Sequence, residues 1–201
     1  MRHIAKNDKK LFKDLNEAYN SSDVNTVIIR GFDEDDKLLV ALNAAISLSE
    51  ETNPRLRVTA LQNANDLVNR VLREYGRNEV KLTAKKPVKI LGSNFDVKRW
   101  DQDVFGFANH EVSIYFPIQS VLYDSEIKRF QKLEEALRHD KSKLKILITT
   151  NDYANGELNI DRLSDVIDKT LILDSSGKYP EVYSRILYNL GVDELNYRNG
   201  N

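Results

Sequence analysis

The sequence contains no cysteine, and it holds one methionine, one tryptophan and four prolines in 201 residues. Without cysteine there is no disulfide, no thiolate metal site and no cysteine nucleophile, which fits a reducing compartment. An excess of one charge sign is also missing. Thirty basic residues against 31 acidic ones leave a formal net charge of −1, so no global field recruits nucleic acid or a lipid surface. Charges interrupt every apolar run well before the ~18 residues that a bilayer span requires. The opening MRHIAKNDKKLFKDL has no apolar core of signal-peptide length. A soluble cytoplasmic protein without membrane contact is expected. A chain of this length buries roughly 70% of the surface its unfolded form exposes, so one domain over residues 1–201 needs no staples.

Periodicity then divides the chain. Leu11, Phe12, Leu15, Ala18 and Tyr19 share one face of a helix over residues 8–20, placed in an N-terminal helical extension spanning 1–22. The continuous β-branched run at 26–29 predicts a strand covered on both faces. A helix starting at Asp33–Asp35 follows, with Leu38, Leu39, Leu42, Ala45 and Ile46 inward. After Asn53-Pro54 come a strand over 55–61 and a helix over 63–76. The stretch VKLTAKKPVKILGSNFDVKRW at 80–100 alternates and carries Pro87, Gly92, Ser93 and Asn94. It predicts a β-hairpin, within a hairpin-and-irregular insertion over 80–110 that leaves the main sheet. Strands at 112–116, 144–148 and 170–173 are interleaved with helices at 124–139, 159–168 and 180–190. Such alternation predicts an α/β fold, a mostly parallel sheet flanked by helices on both faces with a β-hairpin excursion. The strands at 26–29 and 144–148 are expected to be central.

In parallel sheets ligands lie beyond the carboxyl ends of the strands. Three such ends are polar here: Arg30-Gly31-Phe32-Asp33, Thr149-Thr150-Asn151-Asp152 and Asp174-Ser175-Ser176-Gly177-Lys178. Arg30, Gly31, Lys37, Thr150, Asn151, Asp152, Ser175, Ser176 and Lys178 are therefore the ligand-binding candidates, provided the three ends meet. The commoner role of such residues is to make turns and helix caps.

Gly31 and Lys37 have the spacing of the phosphate-binding motif G-x-x-x-x-G-K-[ST]. Together with the order of elements and the stretch LKILITTND, this resembles the P-loop NTPase superfamily over roughly residues 24–190. The resemblance implies a phosphate loop at 31–36 and makes Asn151 the candidate γ-phosphate sensor at the tip of a late strand. Two required positions depart from the pattern. Asp36 stands in place of the second glycine, and Leu38 in place of the hydroxyl that holds Mg²⁺. The strand at 112–116 ends in Pro117-Ile118-Gln119 without the acidic residue of a Walker B tip. Asp33, Glu34, Asp35 and Asp36 put four negative charges where phosphate would sit, and like charges 4 Å apart repel by about 4 kcal/mol at an effective dielectric near 20. The expectation is a degenerate phosphate loop that takes no nucleotide cofactor.

Other constellations offer less. The acidic turn lacks the D-x-[DN]-x-[DN]-G pattern and distal glutamate of a calcium loop, so no metal site is assigned. Glu79-Val80-Lys81 makes an E-x-K pair on a predicted strand, with Asp66 as the partner carboxylate of a metal-dependent nuclease. His3, His110 and His139 fall in different elements and form no triad. Lys85, Lys86, Lys89, Lys98 and Arg99 make 80–100 the most basic stretch, and Trp100, with Phe105 and Phe107, offers rings for stacking on bases. The commoner outcomes are a lysine-protected sheet edge and an aromatic plug in the core. These features favour a non-catalytic P-loop-like domain, an accessory protein that binds a partner protein or associates with nucleic acid and that self-associates in some cases. The alternative is a metal-dependent nuclease or an atypical nucleotide-binding hydrolase built on Asp66, Glu79 and Lys81.

Overall fold

The computed structural model describes residues 6–101, 110–150 and 159–189. The first helix, α1 (Lys6–Asn20), leads into β1 (Thr26–Arg30) and α2 (Glu34–Leu48). Next come β2 (Arg55–Val58), α3 (Leu61–Glu74), β3 (Val88–Ile90) and β4 (Ser93–Arg99). The second half holds β5 (Val112–Tyr115), α4 (Ile127–His139), β6 (Leu144–Ile148), β7 (Lys169–Ile172) and α5 (Pro180–Asn189). The seven strands form one sheet in the order β3-β4-β2-β5-β6-β1-β7. Every neighbouring pair is parallel except the β3–β4 hairpin. This is the α/β architecture that the alternation predicts, and β1 and β6 lie inside the sheet with every residue from Thr26 to Ile29 and from Leu144 to Ile148 buried.

The two faces differ. On one, Val27, Ile29, Leu56, Val58, Ile114, Ile146 and Ile148 pack with Leu38, Ala41, Leu42 and Ala45 of α2 and with Val68, Val71 and Leu72 of α3. The other face holds a smaller core, in which Ile28, Tyr115 and Leu147 join Phe130, Leu133, Ala136 and Leu137 of α4. It also carries charge, since Arg55 and Arg57 of β2 stand beside Ser113 and Tyr115 of β5. Both arginines are buried. Nearby, Tyr115 donates to Asp140 Oδ2 at 2.7 Å, and Ser142 N–H donates to Asp140 Oδ1 at 2.9 Å.

Several local expectations are corrected. α1 is integrated rather than appended, because Leu11, Leu15 and Ala18 belong to the main core. The hairpin turns on Leu91 and Gly92, both at positive φ, as two-residue hairpin loops require. Its second strand does not leave the sheet, because β4 pairs in parallel with β2 from Arg55↔Asp96 to Val58↔Arg99. Residues 80–87 form no strand. Asn65 and Asn69 of α3 hold them instead, accepting from Leu82 N–H at 2.9 Å and Val80 N–H at 2.8 Å. Side-chain amides have replaced a ladder there. The helix expected at 159–168 is a 3-10 turn over Ile160–Leu163.

Candidate functional site

Connections leaving adjacent parallel strands toward opposite faces open a crevice at the carboxyl ends. Among the described residues there are two such places. β1 leads to α2 on the large-core face while its neighbour β6 leads to the 3-10 turn containing Leu163 on the other. Likewise β2 leads to α3, and its neighbour β5 leads to α4 on the opposite side.

The β1–β6 crevice is the one the P-loop resemblance points to. Lys37 is fully buried there. Its ammonium donates to Gly31 O, to Thr149 Oγ1 at 3.1 Å and to Thr150 O at 2.7 Å. Thr149 in turn donates to Ile29 O at 3.2 Å, and Thr150 N–H to Gln119 Oε1 at 3.2 Å. The lysine's donors are thus turned onto protein oxygens. Gly31, at φ 137°, has a local reason to be glycine, since a Cβ would lie 2.4 Å from Leu173 O at the end of β7. Leu38, at the motif's hydroxyl position, is fully buried in the main core.

The four carboxylates of the turn are each engaged by protein groups, and Asp33, Glu34 and Asp35 also line an open cavity of about 540 Å³. Asp33 caps α2, accepting Asp36 N–H at 2.8 Å, and burial raises its pKa. Arg70 of α3 reaches Asp35 Oδ1 through Nε at 2.9 Å and also binds Glu34. Asp36 is 1% exposed. It forms an ion pair with Lys178 and accepts from Ser175 Oγ at 3.3 Å and Tyr75 OH at 3.4 Å. Burial opposes the charge on Lys178, but its bond to Asp36 outweighs this and holds the ammonium pKa above its ordinary value. Burial and the Asp36 charge push Tyr75 up to about 12.

The tertiary structure therefore brings Gly31, Lys37 and Thr150 to one point and Ser175 and Lys178 to the adjoining Asp36. Arg30 ends β1, its carbonyl accepting from Leu173 N–H at 2.9 Å. Ser176 N–H closes a turn on Asp174 Oδ1 at 2.9 Å. Asn151 and Asp152 lie outside the described residues, as do His3, Phe105 and Phe107.

The remaining candidates do not converge. Asp66 is exposed on α3, and Glu79 and Lys81 are exposed on an irregular segment rather than a strand. Glu79 is paired with Arg73 at 3.0 Å. Among the described residues no three histidine or acidic side chains are grouped to hold a metal. Lys85, Lys86 and Lys89 are exposed along the β3 edge, and Lys98 donates to Ala84 O at 3.0 Å. Trp100 is 1% exposed within the smaller core, so its faces are closed to bases. Arg99 forks onto Asp101 at 2.9 and 2.6 Å.

The β2–β5 crevice is open, a cavity of about 520 Å³ between the start of α3, the end of β4 and α4. Sequence reasoning named Arg99, Trp100 and Thr150 as candidates but did not bring them into one site. Its residues come from the ends of four strands, the start of α3 and one side of α4, and they are spread from Thr59 to Thr150.

These features define a doubly wound α/β protein with one crevice closed by its own side chains and one open. The sequence matches no protein-family model and no curated protein.

Proposed function

We propose that this protein is a non-catalytic relative of the P-loop NTPases, an accessory domain that acts by binding a partner protein. The observation that carries this is the state of Lys37, whose buried ammonium is bound to Gly31 O, Thr149 Oγ1 and Thr150 O. A phosphate loop works because glycine N–H groups and a lysine converge on an anion. Here the lysine is turned inward, Asp36 occupies the glycine position, and Leu38 packs where Mg²⁺ needs a hydroxyl. The strand order supports the kinship, because β6, the late strand of the resemblance, lies beside β1. Exposed apolar side chains at the β7 edge and on α5 supply contact surface, with Ile172 69% and Tyr188 85% exposed. Sheet edges of this kind accept partner strands or helices.

Thermal denaturation with ATP or GTP tests this. No Mg²⁺-dependent stabilisation beyond that given by the matching monophosphate is expected. Micromolar triphosphate binding that requires Mg²⁺ would refute the proposal. Asp36→Gly with Leu38→Thr should not create such binding, because Asp33, Glu34 and Asp35 remain.

A further inference from the structure

The second crevice shares Gln119 and Thr150 with the first but differs from it in what it offers a ligand. It is open, and its volume of about 520 Å³ lies in the ~300–1,000 Å³ range of small-molecule sites. Its polar groups are mainly donors. Arg129 and Lys132, three residues apart on α4, line one side, and Arg99 lines another. Lys132 has no polar partner among the described residues, whereas Arg129 meets only the half-exposed Glu126 at 3.4 Å. Asp101 is the lone carboxylate in the lining, and it is already forked by Arg99.

Two other donor features adjoin the cavity. α3 runs 14 residues from Leu61, and its N-cap is Ala60, whose side chain makes no capping bond. The first-turn N–H groups of a helix have no intrahelical partners and carry the positive end of its dipole. Ala60 and Asn63 face the cavity. Trp100 also lines it, and its enclosed indole N–H meets no acceptor. The Arg129 and Lys132 cations and the uncapped start of α3 together call for a ligand rich in acceptor oxygens and negative charge.

We infer that the crevice between β2 and β5 binds a small organic phosphate of mononucleotide size, its phosphoryl group held by Arg129, Lys132 and the start of α3. This site does not depend on the closed state of the Lys37 crevice. It needs neither Mg²⁺ nor a triphosphate.

Trp100 is the chain's single tryptophan, so indole fluorescence reports on this cavity directly. The experiment titrates the intact chain in metal-free buffer with inorganic phosphate, a panel of 5′-nucleoside monophosphates and the matching nucleosides, followed by fluorescence and calorimetry. A saturable change is expected with at least one monophosphate, and about tenfold or weaker affinity for its nucleoside, as loss of a charge-assisted contact implies. The double variant Arg129→Gln/Lys132→Gln alters exposed residues and should leave the melting temperature unchanged. It should weaken monophosphate binding by about tenfold or more. Absence of any response at millimolar phosphate or monophosphate would overturn the inference and leave the proposed function standing. Binding unaffected by the double variant would also overturn it. A separate titration with a nucleoside triphosphate, run with and without Mg²⁺, that showed Mg²⁺-dependent affinity would bring down the proposed function as well.

Discussion

Lys178, in the loop after β7, forms an ion pair with Asp36, in the first turn of α2, across 142 residues of sequence. Asp36 is 1% exposed, whereas the Lys178 side chain is 29% exposed. The pair ties the loop after β7 to the start of α2. Removing one partner of a buried pair leaves an uncompensated charge, so Lys178→Met should cost about 3–5 kcal/mol. Adding Asp36→Asn in the same chain should restore part of that loss. Arg70→Ala, which frees the more exposed Glu34 and Asp35, should cost no more than about 1 kcal/mol. Urea denaturation of the four proteins checks the ranking, and equal losses for Lys178→Met and Arg70→Ala would contradict it.

Gly31 is required by the approach of β7 rather than by a phosphate. With φ at 137° and Leu173 O at 2.4 Å from any Cβ, Gly31→Ala should destabilise the protein by about 1–3 kcal/mol or more. Its melting temperature, measured without ligand, decides the matter. An unchanged value would return the glycine to a ligand-binding role.

Ile28 and Ile146 lie on opposite faces of the sheet, each fully buried. Truncating either to alanine should cost about 2–5 kcal/mol through lost burial and a residual cavity. Chemical denaturation that showed one of them near zero would place that face of the sheet in solvent.

His110 gives the stability a pH dependence near neutrality. Burial lowers its pKa, partly opposed by the bond between Nδ1 and Asn53 O at 2.7 Å, and Arg55 adds to the lowering. The folded state therefore holds the ring neutral while the unfolded state takes up a proton near pH ~6.5. Stability should fall as pH drops through and below that value. His110→Gln should flatten this portion of the curve, measured by urea unfolding between about pH 7 and about pH 5. A separate loss belongs at lower pH. Burial opposes the charge on Asp140, but hydrogen bonds from Ser142, Tyr115 and Ser113 outweigh it and lower its pKa. Its contribution is present above the ordinary carboxylate value and disappears as pH falls through the folded one.

Much of the fold was legible in short windows. The β-branched run at Thr26–Ile29 and the apolar run at Leu144–Ile148 require cover on both faces, and both are interior strands. The helical stripe of Leu11, Leu15 and Ala18 and that of Leu38, Leu42 and Ala45 were equally plain, because a 3.6-residue period must bury one side. The alternation at 80–87 misled, because side-chain amides of Asn65 and Asn69 satisfy that backbone in place of a strand. Trp100 stands beside two basic residues in sequence, yet its ring is packed inward because it follows the end of β4 beneath α4.

The sequence by itself determined the alternation of strands and helices, the parallel sheet, and the departures at Asp36 and Leu38 from a phosphate loop. Those properties follow from local periodicity and from residue type at fixed spacing. Only the tertiary structure decided what the charged groups do. Lys37 finds Thr149 across 112 residues, Asp36 finds Lys178 across 142, and the open cavity collects Arg99, Trp100, Arg129 and Lys132 from separate elements. Electrostatic and hydrogen-bond energies depend on distance through space and on exclusion of water, and strand order, which sets both, is written nowhere within a single window of the chain.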